Sequence, residues 1–510
     1  MKTFAIKARK KLIDEILDRI QMFSLDSKTE LPNLLPKNPV KQECFLQLQR
    51  QIEENDVLSV AEQAACVWFH RLVSIWFMEV NEYLPTEPFF SRFSPNGFKR
   101  NDVDADTLEE KEEMQYWKTY GYTEQEAAAQ ILFMRVCSQL GRIFPQLFSC
   151  YAQPVDFLIP KFHVDSVIYE FLSLPKEDFV LSQGGQAEMI GWLYQYFHTE
   201  RKEETFALLQ KNIKITKERI PAATQLFTPD WIVRYMVENS VGKLWLEQHP
   251  NAELEEKWTY YLKSNNTSSR EKYSTELRPQ DITILDPCMG SGHILVYAFD
   301  ILMDIYGSQG YTKREAAGQI IANNLYGLEI DDSVSELAHF VIMMKARFYD
   351  ETILEQSRCV HICSIQESNE ITDNLRQEIW QQFSMLEEEE RLAIDFVIDA
   401  FRDAKTYGSC LQMTQRFQPK FYEKTARRLR EIITDNTFDF NLEQWAIINQ
   451  WFPLLIALLE QADLLTRTYL VTITNPPYMG KKSLNKKIST FLETNYPNGK
   501  SELYAAFILR

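Results

Sequence analysis

The chain has 510 residues, 45% of them hydrophobic and 13% aromatic, which is globular composition and more than one core holds, so two or three domains are predicted. A net charge of −17 argues against a small dedicated nucleic-acid-binding protein. It leaves open a large enzyme with a local basic groove, because phosphate contacts are local and net charge is a whole-chain sum.

The N-terminus, Met1-Lys-Thr-Phe-Ala-Ile-Lys-Ala-Arg-Lys-Lys11, is basic and amphipathic and lacks the apolar stretch of a secretory signal. Residues 1–200 read as helical, with apolar positions at helical spacing over 43–80 and again over 124–148. Polar breaks fall at 27–38 and 95–106, the second leading into an acidic helix start, Thr107-Leu-Glu-Glu-Lys-Glu-Glu113. Phe227-Thr228-Pro229 opens a helix, with Thr228 as its cap and Pro229 as its first residue. A Ser/Asn-rich linker is predicted over 263–280. A strand over 282–285 then runs into the loop Asp286-Pro287-Cys288-Met289-Gly290-Ser291-Gly292 and a helix over 294–302. A helix over 314–323, a strand over 325–331, a helix over 334–349 and a strand over 360–363 follow. This alternation predicts an α/β fold with a parallel, doubly wound sheet. Charged helical sequence over 369–465 interrupts it, and a β-rich run over 469–474 leads into Asn475-Pro476-Pro477-Tyr478. The predicted domains are a helical N-terminal domain (1–205), the first part of a cofactor-binding core (206–368), a helical insertion (369–465) and a final core segment (466–510).

No apolar run reaches membrane-spanning length; Trp451-Phe-Pro-Leu-Leu-Ile-Ala-Leu-Leu459 is the longest. The eight cysteines lack CxxC or zinc-ligand spacing and the seven histidines are isolated. A cytoplasmic protein with reduced thiols, no metal and no membrane association is expected.

Three motifs carry chemistry. In the glycine loop, Gly290 and Gly292 let the backbone turn tightly and approach a ligand, and Asp286 ends the preceding strand. It is neither a P-loop nor GxGxxG. Glu329, in Gly-Leu-Glu-Ile-Asp at the end of the next strand, is placed to bind the ribose hydroxyls of a nucleotide-like cofactor, with Ile330 against its adenine. The spacing from the loop exceeds the usual one by the additional helix at 314–323. In Asn475-Pro476-Pro477-Tyr478, the Asn amide oxygen and a Pro carbonyl are suited to accept both hydrogens of an exocyclic amine. Tyr478 offers a flat face to a planar base. Lys481, Lys482, Lys486 and Lys487 follow, as phosphate contacts or as a solvated loop. Cys288 sits in the cofactor loop, away from the base, and is read as packing only.

In this order, Phe-Thr-Pro, Asp-Pro-x-x-Gly-Ser-Gly, Gly-x-Glu-Ile-Asp and Asn-Pro-Pro-Tyr resemble the N6-adenine DNA methyltransferases of the γ arrangement, which include type I modification subunits and fused type IIG enzymes. Phe4-Ala-Ile-Lys-Ala-Arg-Lys-Lys-Leu12, the segment Met479-Gly-Lys-Lys-Ser-Leu-Asn485 and Lys500-Ser-Glu-Leu-Tyr504 make the chain most similar to the PglX family of BREX phage-defence systems. The resemblance implies a Rossmann-like sheet, S-adenosylmethionine as cofactor, double-stranded DNA as substrate and other phage-defence proteins as partners. It implies that Phe227, Thr228 and Pro229 line the methionine end of the cofactor. Asp286, Pro287, Gly290 and Gly292 would form its loop, and Glu329 and Ile330 would hold its ribose and adenine. Asn475, Pro476, Pro477 and Tyr478 would form the catalytic segment. One position departs: relatives often carry an acid after the third strand, where this chain has Cys363-Ser364-Ile365-Gln366, so Ser364 or Gln366 is expected in its place. The chain stops 32 residues after Tyr478, short of the strands and target-recognition region that the family carries. The expectation is a truncated chain that binds the cofactor weakly and does not methylate a specific site by itself. The rival readings are a non-catalytic scaffold or cofactor-binding fragment of a defence complex, and a methyltransferase acting on RNA or on a protein glutamine.

Overall fold

The computed structural model describes residues 1–23, 39–95, 97–99, 107–148, 154–211, 228–263, 276–356, 360–383, 385–413, 417–418, 420–434, 440–480 and 483–510. It forms two compact units, Met1–Glu200 and Arg201–Arg510.

The first unit is helical. Its opening helix, Lys2–Met22, buries Phe4, Ala8, Leu12, Ile16 and Ile20 at helical spacing and packs on the helix Val57–Val80. That second helix is buried nearly all round, with Trp68, Phe69 and Trp76 in the core. It also carries Arg71, fully buried, which donates to Asp156 Oδ1 at 2.6 Å and to the Leu147 carbonyl at 2.7 Å. The acidic helix start is a capping box, Thr107 with Glu110, and the helix Glu124–Leu140 opens on another, Thr123 with Glu126.

The second unit is built on a four-stranded parallel sheet: β1 (Ile284–Asp286), β2 (Leu325–Glu329), β3 (His361–Ser364) and β4 (Val471–Thr472), in spatial order β3-β2-β1-β4. Ile284 of β1 lies opposite Leu325 of β2 on one side and Val471 of β4 on the other. Chain order therefore reverses direction across the sheet at β1, a point where α/β sheets open a crevice at the strands' carboxyl ends. A helix α1 (Asp230–Val237) precedes β1. Between strands come α2 (His293–Ser308), α3 (Lys313–Asn323) and α4 (Asp332–Tyr349), matching the predicted alternation. β4 is shorter than the predicted run. Its ladder is limited by the three residues of β1, although Ile473 N–H still bonds the Leu285 carbonyl at 3.0 Å.

The strands alternate in facing. Gly327 of β2 faces Met289 and Leu295 of α2, so closely that a Cβ there would lie 2.4 Å from the Met289 sulfur. Tyr326 and Leu328 point the other way, into a core shared with the helices of the insertion. These are α5 (Asp373–Gln382), α6 (Glu388–Ala400), α7 (Phe421–Thr434) and α8 (Leu442–Thr466). The charged segment 369–465 thus covers one face of the sheet while returning the chain from β3 to β4. Beyond β4, α9 (Lys486–Asn495) and α10 (Leu503–Leu509) gather Met479, Leu484, Ile488, Leu492 and Leu503 into a small core with Cys410. Among the described residues no helix is long and apolar enough to cross a membrane. No group of three His, Cys, Asp or Glu side chains there is placed to hold a metal ion.

Candidate active site

Because β1 and β4 are neighbours and parallel, their carboxyl ends deliver Asp286 and Thr474-Asn475 side by side. This brings together the glycine loop and Asn475-Pro476-Pro477-Tyr478, which are about 190 residues apart in the chain.

Asp286 is completely buried. Its Oδ1 accepts the Cys288 N–H at 3.1 Å, while Oδ2 has no hydrogen-bond partner among the described residues. Burial pushes the carboxyl up to about 7, against the opposing influence of Thr474 and of the Cys288 N–H. The Thr474 hydroxyl, also buried, lies beside Asp286 and Cys288 closely enough to oppose that rise, yet neither it nor Asp286 Oδ2 meets a partner in full hydrogen-bond geometry. Gly290 and Gly292 both have left-handed φ, +54° and +82°. A Cβ at Gly290 would meet nothing within 4 Å, leaving open space beside the loop, whereas one at Gly292 would lie 3.3 Å from Ala338 Cβ on α4. The first glycine serves the crevice and the second the helix packing.

Glu329 is also buried, and it holds the loop in shape. Its Oε2 accepts the Gly290 N–H at 2.9 Å, and Oε1 accepts those of Ile330 and Asp331 at 2.9 and 3.2 Å. Burial, with the Asp331 charge adding, pushes this carboxyl up to about 7 as well, while the three N–H groups pull it down. With one N–H on Oε2, a lone pair of that oxygen remains for a hydroxyl donor. Half-buried Ile330 follows directly. Burial, with Asp286 and Glu329 adding, holds the Cys288 thiol well above the ordinary range.

Thr228 is half-buried and Pro229 exposed; Phe227 lies outside the described residues. The helix cap is displaced by one residue from the prediction. Pro229 itself is the cap, its extended ψ of 140° turning the chain into α1, and its carbonyl accepts the Ile232 N–H at 2.9 Å; Thr228 makes no cap. Thr228 instead approaches the loop through His293, the buried first residue of α2, which is drawn to the Thr228 backbone and lies 3.9 Å from Asp230. Burial still keeps that imidazole below its usual range.

At the end of β3, the Gln366 amide N–H₂ donates to Ser364 Oγ and to Asp332 Oδ1, both at 2.7 Å, and Lys405 pairs with the other Asp332 oxygen. The Gln366 backbone is clamped on both sides by Gln461 of α8. The amide is thereby oriented with its carbonyl oxygen as the remaining polar atom.

Asn475, Pro476 and Pro477 are partly buried and Tyr478 is 62% exposed. Lys486 and Lys487 lie at the start of α9, with Lys487 paired to Asp403 at 2.6 Å; Lys481 and Lys482 lie outside the described residues.

Sequence reasoning missed Ser409, Thr474 and His293. Ser409 donates to the Pro287 carbonyl at 2.6 Å, buttressing the loop from the insertion, and no local pattern marks it. His293 directly follows Gly292, so adjacency to the loop was a usable signal.

Residues 323–510 match the family model described as Eco57I restriction-modification methylase. The chain is 31% identical over 563 residues to the adenine-specific methyltransferase PglX of Lacticaseibacillus casei (strain Zhang), covering 100% of this chain and 45% of that protein. It is 30% identical over 501 residues to the adenine-specific methyltransferase BrxX of Escherichia coli O9:H4 (strain HS), covering 90% of this chain and 39% of that protein. A slighter likeness, at 14% identity and a TM-score of 0.27 over 71% of this chain and 20% of that one, is to a nuclease-deletion mutant of the Type ISP restriction-modification enzyme LlaGI in complex with a DNA substrate mimic. At that score it bears no argument. The chain spans less than half the length of the two methyltransferases it matches. The resemblance to adenine-specific methyltransferases of the PglX kind, read from the motifs, is thereby borne out along the whole chain.

Proposed function

We propose that the chain carries the cofactor and base-binding parts of an adenine-N6 DNA methyltransferase that transfers a methyl group from S-adenosylmethionine to a flipped adenine, in a BREX or restriction-modification defence system. The observation that supports this is the pairing of β1 with β4, which sets the glycine loop and the Asn-Pro-Pro-Tyr segment at neighbouring strand ends. The sheet is read as the first four strands of a Rossmann-like methyltransferase fold, and the chain as four regions bounded at 205, 368 and 465.

The residues present fit the cofactor. Asp286 offers a buried, unpartnered carboxylate oxygen, suited to the cationic methionine end beside Thr228 and Pro229. Gly290 leaves space for close approach, Glu329 has an oxygen free for a ribose hydroxyl, and Ile330 and the oriented Gln366 carbonyl flank the adenine position. When bound, S-adenosylmethionine supplies an electrophilic methyl on a sulfonium. Asn475 and the Pro476 carbonyl accept the two N6 hydrogens and turn the nitrogen lone pair away from the ring. Tyr478 stacks on the extruded base and offsets part of the few kcal/mol that unstacking costs, roughly 1–3 kcal/mol by analogy with base–aromatic stacking. Orientation and charge complementarity, rather than acid–base or covalent catalysis, are what these side chains provide.

The test is transfer of tritiated methyl to DNA, RNA and a release-factor protein offered in parallel, followed by nucleoside and amino-acid chromatography. Label in N6-methyladenine of DNA, at a low level and without a preferred site, lost in Asn475→Ala, is expected. Label in RNA or protein glutamine, or transfer unchanged by Asn475→Ala, overturns the reading.

A further inference from the structure

Tyr478 and Tyr504 are both exposed, at 62% and 37%, yet their ring centroids lie 5.9 Å apart with planes inclined at 44°. The chain goes to some length to bring them together. Leu503 N–H donates to the Met479 carbonyl at 3.0 Å, and Gly480 and Glu502 form an antiparallel bridge. Gly480 lets the two segments approach closely: a Cβ there would lie 2.9 Å from the Glu502 carboxylate, which would have to swing aside. Below the pair, Met479, Leu484, Ile488, Leu503 and Ala506 form a shared core. The backbones that carry the two rings are thus tied together, while both rings remain open to solvent. Neither hydroxyl has a hydrogen-bond partner among the described residues, so neither ring is explained by packing or by a polar anchor.

We propose that Tyr504 is a positioning residue for Tyr478, bracing its ring in one orientation so that its open face receives a planar base. This rests on the base-binding role given above to Tyr478. An exposed tyrosine at the tip of a loop would otherwise sample several rotamers and lose that freedom on binding; a neighbouring ring removes the loss beforehand.

The probe is a single-stranded oligonucleotide of about 12 nucleotides carrying 2-aminopurine, titrated with the whole chain, with quenching of its fluorescence read as stacking. Tyr478→Ala is expected to weaken binding about 5- to 100-fold, the range of base–aromatic stacking. Tyr504→Ala should weaken it about 2- to 10-fold, the range of an aromatic pair, and Tyr504→Phe should restore it. S-adenosylmethionine affinity and melting temperature should stay unchanged in all three, because both side chains are at the surface. If Tyr504→Ala binds as well as the parent while Tyr478→Ala does not, the bracing role is overturned and the base-binding reading stands. Wild-type quenching that survives Tyr478→Ala, or is absent altogether, overturns both. Loss of cofactor affinity or a lowered melting temperature in Tyr504→Ala, or failure of Tyr504→Phe to rescue, makes Tyr504 a structural residue and overturns the proposal.

Discussion

Replacing Asp286 by Asn should make the protein more stable as pH rises. The carboxyl is fully buried and its pKa moves from an ordinary 3.8 to about 7 on folding. A group with a raised folded pKa contributes stability below its unfolded pKa and loses it as pH climbs through the folded value. A shift of about 3 units at ~1.4 kcal/mol per unit amounts to about 4 kcal/mol once the group is ionised in both states. Of this, ~2 kcal/mol falls between pH 5 and 7.5. Asn retains the oxygen that accepts the Cys288 N–H, and it places an unpartnered amide where Oδ2 stood. That unpartnered donor costs roughly 1–3 kcal/mol at every pH, so the informative quantity is the pH slope and not the offset. Urea unfolding of both proteins at half-unit steps from pH 5 to 8 measures it. The difference in stability should move in favour of Asp286→Asn by ~2 kcal/mol across that range. Parallel curves would refute the reasoning and show that the carboxylate is solvated or paired in solution.

Other outcomes follow from the same geometry. S-adenosylmethionine affinity should rise between pH 6 and 8, by up to about tenfold per unit for each carboxylate that must ionise, because a cation prefers Asp286 and Glu329 charged; calorimetry in buffers of different ionisation heat should show proton release. Gly327→Ala should destabilise by ~1–3 kcal/mol through the 2.4 Å clash with Met289, and Met289→Ala in the same chain should recover much of it, as read by thermal unfolding. In the N-terminal unit, Arg71→Met should cost ~3–5 kcal/mol by removing the guanidinium that pairs with the buried Asp156, while Arg71→Met with Asp156→Leu should recover most of that in urea unfolding. Tyr478→Ala should abolish most methyl transfer while leaving cofactor affinity within about twofold, since stacking acts on the base alone.

Much of the second unit was legible because its signals are local. A strand end, a glycine loop and an apolar-periodic helix are each encoded within about ten residues, and the helices after Gly292, Thr312 and Asp331 begin as their caps dictate. Glu329 was marked as a candidate by its place after a strand, although its three N–H contacts, which shape the loop, could not be read from sequence. The role of residues 369–465 was hidden for a different reason. Their charge and helical spacing read as an insertion between strands, and do not show that the same helices carry an apolar face that covers Tyr326 and Leu328. Ser409 and Thr474 reach the loop only through tertiary contact, which no periodicity predicts. The helix start at 228–230 was placed one residue early because Thr followed by Pro is the commoner cap, and here the proline's own ψ makes the turn.

The most direct test of the central claim, that the crevice between β1 and β4 holds the methyl donor, is calorimetric titration of S-adenosylmethionine into the chain and into Asp286→Ala at pH 8. Saturable binding that weakens about tenfold or more in the variant, as expected for a lost charged hydrogen bond, is the predicted result. Equal binding by the two proteins, or no binding by the parent chain, would contradict it.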